Sequence, residues 1–127
     1  MNHINSPDHS DPAIEREILA KGLTAPRVTP ADIDANITNE HYFTAAEGAS
    51  GAGYLIHDPN VKSPLSLLTF CVLVLKNGFT VTGESACASP ANFDADIGKS
   101  IARTNAIQKI WPLVGYALKE KLSGGGQ

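Results

Sequence analysis

The apolar residues of this 127-residue chain change their spacing along its length, and each change predicts an element. Ile14, Ile18 and Leu19 recur at helical spacing behind Asp11-Pro12. An aspartate there caps free amides, a proline at the first helical position loses no needed donor, and Gly22 is the stop. Thr29-Pro30-Ala31-Asp32 repeats the start signal, and Ile33 and Ile37, four apart, predict a short helix from about residue 30 to 38. His41-Tyr42-Phe43 is β-prone but short, and Thr44 to Glu47 equally fits a helical turn. Residues 48–64, GASGAGYLIHDPNVKSP, are punctuated by glycine and proline and read as a long loop, which in a small domain is more often functional or mobile than idle.

Two runs with strand character follow, 67–76 and 79–85, joined by Asn77-Gly78. A two-residue turn needs positive φ at both central positions, and these residues tolerate it best. That register sets Lys76 opposite Phe79, Val74 opposite Val81, Val72 opposite Gly83 and Phe70 opposite Ser85. Leu73, Leu75 and Cys71 then share the other face with Thr80, Thr82 and Glu84. The first strand is apolar on both faces, so one face is expected to meet a helix and the other more sheet or a second subunit. Gly83 to Cys87 is expected to be a strand-to-helix corner where small side chains let a ligand or a second chain approach the backbone.

Ser89-Pro90 is the expected start of the principal helix, with amides there favouring an anionic oxygen. At 100° per residue Phe93, Ile97, Ile101, Thr104 and Gln108 fall on one side. Asn92, Asp96, Lys99 and Arg103 form a second stripe that turns apolar at Ala106 and Ile110, as if entering a partner or pocket. Pro112 predicts a break after Trp111, and Leu113, Ala117, Leu118 and Leu122 give a final amphipathic piece. The fold class expected is α+β: short N-terminal helices, then an antiparallel hairpin or sheet packed on a long C-terminal helix broken at Pro112. Residues 11–122 are expected to form one domain between a disordered start, 1–10, and a flexible tail, 123–127.

With 43% hydrophobic and 18% charged residues the balance is that of an ordinary soluble domain. No apolar run reaches membrane-spanning length, and MNHINSPDHSD lacks the basic and apolar regions of a signal peptide, so a cytosolic protein without a membrane partner is expected. A net charge of −3 argues against a duplex nucleic-acid binder. The charge is uneven, however. Residues 1–60 carry nine acidic side chains against three basic ones, whereas 98–122 hold Lys99, Arg103, Lys109, Lys119 and Lys121 against Glu120. One end is therefore suited to a small anion.

Cys71 and Cys87 have no CxxC spacing and read as free thiols, and His3, His9, His41 and His57 form no zinc pattern. Glu84 among apolar neighbours is a candidate general base, but without a second acid or histidine at a recognisable spacing it is more often a satisfied strand-end carboxylate. The glycines of 48–64 match no phosphate-binding fingerprint, and no cofactor is expected. Arg27, Lys99 and Arg103, with polar Asn92 and aromatic Phe79, are the residues suited to a phosphate-bearing ring compound: guanidinium forks take phosphate oxygens and an aromatic face takes a base. By residue type alone, solvated charges and a hairpin-tip phenylalanine are the commoner meaning.

Residues 29–122 resemble a family of small proteins of tailed phages and prophages named for phage gene products 49 and 66. NGFTVTGESAC, NFDADIG and IWPLVGY are the most specific pieces. In size, order of elements and phage setting the chain also resembles the first Thoeris anti-defense family. That resemblance implies a non-enzymatic sponge in the host cytoplasm, binding the cyclic ADP-ribose isomer made by TIR-domain immune enzymes, or cyclic oligonucleotides, and holding it uncleaved. It also implies a homo-oligomer, a dimer or a dimer-based hexamer, with the ligand recessed between subunits. Arg27 and Arg103 would reach phosphates, Phe79 the base, and Asn92 would add a polar contact. The rival expectations are a phage accessory protein that inhibits a host protein by direct binding, and an enzyme degrading the same signal.

Overall fold

Two threonines organise the first half of the chain. In the computed structural model, which describes residues 11–54 and 63–124, Thr29 Oγ1 accepts from Asp32 N at 3.1 Å and Asp32 Oδ2 accepts from Thr29 N at 2.9 Å. This reciprocal cap starts helix α2, Pro30–Asn36, and the hydrogen bonds hold the Asp32 carboxyl below its usual range. Thr44 and Glu47 repeat the motif at 3.1 and 2.8 Å and start α3, Ala45–Gly51. The backbone between the caps is strand β1, Ile37–Thr44, so the helix expected to reach residue 38 ends at Asn36. Upstream, α1 spans Asp11–Ala20, and Gly22 adopts φ +66° as expected of a helix stop. The first residues of the expected 48–64 loop are instead the end of capped α3. The disorder expected at 1–10, residues 55–62 of that loop and residues 125–127 of the expected tail lie outside the described residues.

Strands β2, Leu68–Leu75, and β3, Thr80–Ala86, complete an antiparallel sheet of order β1-β2-β3. With four helices beside it, the described chain is α+β. The hairpin register differs by one residue from the expected one. Of the turn residues Asn77 and Gly78 only Gly78 takes positive φ, +89°, and it donates to Leu75 O at 2.9 Å, while Leu75 N donates to Phe79 O at 2.8 Å. Lys76-Asn77-Gly78 is therefore a three-residue loop with a glycine bulge, and Asn77 contributes its side chain, which accepts from Phe79 N at 2.9 Å. Leu73 now faces Val81, Cys71 faces Gly83 and Phe70 faces Glu84. A one-residue shift exchanges the faces of a strand: Cys71, Leu73, Leu75, Val81 and Gly83 point inward, and Phe70, Val72 and Val74 outward. Because β2 is apolar on both faces its own pattern could not choose between registers. The choice rests on β3, where only Val81 and Gly83 suit a buried surface.

What they meet is α4, Ala95–Leu122. Asp94 caps it, accepting from Ile97 N at 3.0 Å, whereas Ser89-Pro90 opens only a short 3-10 turn, Pro90–Asn92. The helix therefore starts five residues later than expected, with a carboxylate already on its free amides. The buried face of α4 is Gly98, Ala102, Ala106 and Ile110, one residue per turn. The stripe expected to enter a partner at Ala106 and Ile110 packs on the chain's own sheet, while Ile97 and Ile101 are 59% and 47% exposed. Nor does Pro112 break the helix. Pro112 and Gln108 are both exposed, so the carbonyl deprived of its donor faces water, while Ile110, Trp111 and Val114 on the same stretch pack on the core.

The small stripe of α4 allows an unusually close helix-to-strand approach. A Cβ on Gly83 would fall on Ala102 O and Ala106 N, and within 2.9 Å of Ala106 Cα, all backbone atoms of α4. Gly83 thus admits this chain's own helix rather than a ligand or second chain. Gly115 lies on α4 with open space where its Cβ would be. In urea unfolding, Gly83→Ala is expected to lose about 3 kcal/mol or more through forced separation of α4 from β3. Gly115→Ala is expected to gain up to about 1 kcal/mol from helix propensity.

Candidate functional site

Helix α4 packs on β3 and β2 and leaves the inner face of β1 to polar side chains. The β1–β2 register pairs Glu40 with Leu73, Tyr42 with Cys71 and Thr44 with Thr69, so these three β1 residues share the inward face. Arg103 reaches across from α4. Its Nε donates to Glu40 Oε1 at 2.9 Å and its Nη2 to Glu40 Oε2 at 3.1 Å, while Tyr42 OH donates to the same Oε1 at 2.7 Å. Asp34 of α2 lies 3.9 Å from Arg103 Nη2. Both members of the pair are about one-third exposed, at 34% and 35%. The bonds from Arg103, then Tyr42, hold the Glu40 carboxyl below its usual range, and Glu40 in turn raises the guanidinium. Burial, then the bond to Glu40, raises the Tyr42 phenol, and burial raises the Cys71 thiol beside it.

A guanidinium has five N–H donors in a planar fork. Glu40 takes the Nε–Nη2 edge, which leaves Nη1 and the second Nη2 hydrogen as an end-on edge with the geometry that phosphate oxygens accept. Lys99 stands one turn earlier on α4, four residues from Arg103 and so beside it on the helix surface. It lines a cavity of about 320 Å³ with Phe43, Thr44, Glu47, Thr69 and Phe93. Asn92 is exposed on the turn that precedes Phe93.

The other two candidates lie elsewhere in the chain. Arg27 donates through Nη1 and Nη2 to both Glu15 oxygens at 2.8 Å, tying the connector after α1 back to that helix. A separate cavity of about 270 Å³, bounded by Ile14, Glu15, Ile18, Val28, Gln108 and Trp111, adjoins this pair. Phe79, 57% exposed at the hairpin tip, lines a groove of about 310 Å³ with Leu75, Leu113, Val114 and Ala117. Of the five candidates, one chain therefore brings together only Lys99 and Arg103.

Glu40 and Tyr42 are the site residues that sequence reasoning missed. Their signal was the alternation in NEHYFT, which places 40, 42 and 44 on one face of a strand. Glu84 is exposed on β3, 3.4 Å from Thr82 Oγ1, as befits a strand-end carboxylate. Cys71 is fully buried, and Cys87 is half-buried with its thiol 3.1 Å from Ser89 O; both are free. Among the described residues no group of three or more His, Cys, Asp or Glu side chains is placed to hold a metal, and no helix is long and apolar enough to cross a membrane.

The Glu40–Arg103 pair has a pH signature. A carboxyl whose folded pKa is depressed adds stability above its ordinary value, 4.5, and that stability is lost as pH falls through the folded value. Glu40→Gln is expected to cost about 1 kcal/mol at pH 7, a modest figure for a partly exposed pair. The deficit relative to the native chain should shrink in urea titrations carried from pH 7 down to pH about 3.

Comparison with curated proteins and with solved structures found no match. A family model, described as phage protein (N4 Gp49/phage Sf6 gene 66) family, matches residues 28–122. The match begins at Val28, just before the Thr29 cap, and ends at Leu122, the last residue of α4. It contains the whole sheet and the Arg103–Glu40 pair and leaves out α1 and Arg27. With most of its length inside that match, the chain belongs to the phage protein (N4 Gp49/phage Sf6 gene 66) family.

Proposed function

We propose that this phage-family protein acts in the host cytoplasm as a sponge, binding a cyclic nucleotide immune signal, a cyclic ADP-ribose isomer or a cyclic oligonucleotide, without breaking its bonds. The observation that carries the proposal is Arg103. It is a half-buried guanidinium with one edge fixed by a carboxylate and the other open, one helical turn from Lys99 and a cavity with two phenylalanines at its wall. Phosphate oxygens match the open edge, and a base or ribose matches the apolar wall. Resemblance to the first Thoeris anti-defense family supplies the ligand class.

Arg27 and Phe79 are remote from this cleft within one chain. The proposal therefore includes a homo-oligomer, a dimer or a dimer-based hexamer, in which a neighbouring copy brings them to the ligand. Capture demands tight binding, of nanomolar order or about −12 kcal/mol, and a small anion reaches that only in a recessed, preorganised pocket. The exposed Ile97 and Ile101 favour a second reading, an inhibitor that docks on a host protein.

Isothermal titration with cyclic ADP-ribose isomers and cyclic oligonucleotides is expected to give a nanomolar Kd for at least one of them. Arg103→Ala and Arg27→Ala should each weaken it by about tenfold or more through lost charge-assisted hydrogen bonds. Ligand released by heating the complex should be recovered intact, whereas a degrading enzyme would return products. If no member of the panel binds and a pull-down from host lysate returns a stoichiometric protein, the inhibitor reading replaces this one.

A further inference from the structure

We propose that Glu40, itself fixed by Tyr42, is a positioning residue that turns the open edge of Arg103 toward an oxyanion in the cleft; the inference rests on the sequestration reading above. An arginine side chain free in solution samples many rotamers, and fixing it at the moment of binding costs affinity. Here the fixing is done in advance. Glu40 stands on a strand of the sheet, and both its oxygens are engaged, Oε1 by Arg103 and Tyr42 together and Oε2 by Arg103. The guanidinium plane is thus set by two bonds to a carboxylate that is itself tied to the strand. A carboxylate on the Nε–Nη2 edge leaves the end-on edge without a hydrogen-bonded partner, the nearest acid being Asp34 Oδ1 at 3.9 Å from Nη2, whereas one on the end-on edge, as Glu15 is on Arg27, occupies the donors a phosphate would use. The two arginines are therefore not equivalent: Arg103 can hold Glu40 and an oxyanion at once, while Arg27 must release Glu15 to take one end-on.

The same bonds also clamp α4 to β1, so the positioning role must be separated from a structural one. The groups that face Glu40 are Arg103 from α4, Tyr42 from its own strand and Cys71 from β2, and Asp34 of α2 lies 3.9 Å from the same guanidinium. Tyr42→Phe keeps the charge pair and removes only the hydroxyl that fixes the carboxylate. Ile33→Val removes one buried methylene and none of these bonds, and serves as a control for stability alone.

The experiment is calorimetric titration of the full chain and of Glu40→Gln, Tyr42→Phe and Ile33→Val, with the tightest-binding member of the cyclic ADP-ribose and cyclic oligonucleotide panel as probe. It is run well below each melting temperature and paired with ¹⁵N spectra of the arginine Nε–H groups. Glu40→Gln is expected to weaken binding about tenfold or more and Tyr42→Phe by severalfold, each with a shifted or lost Arg103 Nε–H resonance, while Ile33→Val binds as the native chain does. Should the native chain bind the probe and both cleft variants bind it equally well, Glu40 is only a structural clamp: the positioning role is overturned and the sequestration reading stands. Should the native chain bind no member of the panel, both fall together.

Discussion

The close contact of α4 with Gly83 sets the position of everything else in this fold. A helix normally rides on a sheet at a distance set by side chains on both surfaces. At Gly83 one of those layers is missing, and opposite it α4 presents only Ala102 and Ala106. The helix is drawn down onto β3 and the adjoining half of β2 and cannot also lie over β1. The inner face of β1 is left uncovered by apolar side chains, and the chain fills it with Glu40, Tyr42 and Thr44, to which Arg103 is the answering cation. The polar Arg103–Glu40–Tyr42 site is thus a geometric consequence of a glycine on the opposite edge of the sheet.

A second consequence is a thin core. Ile33, Leu73, Leu75, Val81 and Ile110 are its large members, and the helix contributes mainly alanine. With so little apolar volume, hydrogen-bonded ties at the margins matter more than they would in a larger domain. Asn105 Nδ2 donates to Glu84 O at 2.8 Å along the β3 edge, and Lys76 N donates to Asn36 O at 3.0 Å between the hairpin tip and the end of α2. Arg103 does the same for β1. Polar residues that a sequence reader assigns to solvent are in this chain the means by which helix and sheet edges are held.

Local chemistry was legible in the sequence wherever a single residue dictates it. Thr29 with Pro30 and Asp32 announced a helix start and Gly22 a helix end, and the antiparallel hairpin followed from two β-rich runs around Asn77-Gly78. What failed depended on tertiary contact. The hairpin register turned on whether Asn77 would accept positive φ, and the inward placement of Val81 and Gly83 decided that it did not. The face of α4 was misjudged because Ile97 and Ile101 outweigh Gly98 and Ala102 in hydrophobicity, yet the smaller pair is buried, since only small residues fit against Gly83 and Thr69. Lys99 and Arg103 were found because they share a helix. Glu40 was invisible because its partner lies 63 residues away in the chain.

The carboxylate beside Arg103 also bears on how many chains a ligand must touch. Glu40 places a negative charge on the side of the guanidinium away from the ligand, and because the pair is about one-third exposed, water and salt screen most of its repulsion of an oxyanion there. Holding the arginine in one rotamer in advance saves up to about 2 kcal/mol of side-chain entropy on binding and outweighs that screened repulsion. Arg103 with Glu40 is therefore selective in geometry and only moderately strong, and Glu47 and Asp34 nearby do nothing to increase the pull on an anion. Under the proposed function, nanomolar capture of a doubly phosphorylated ring would draw on groups beyond Lys99 and Arg103. Arg27, whose end-on edge is turned to Glu15, offers a further guanidinium, and Phe79, exposed at the hairpin tip, an aromatic face. Bringing them to Arg103 would take a second copy of the chain, and the assembly would then be part of the binding site rather than a container for it.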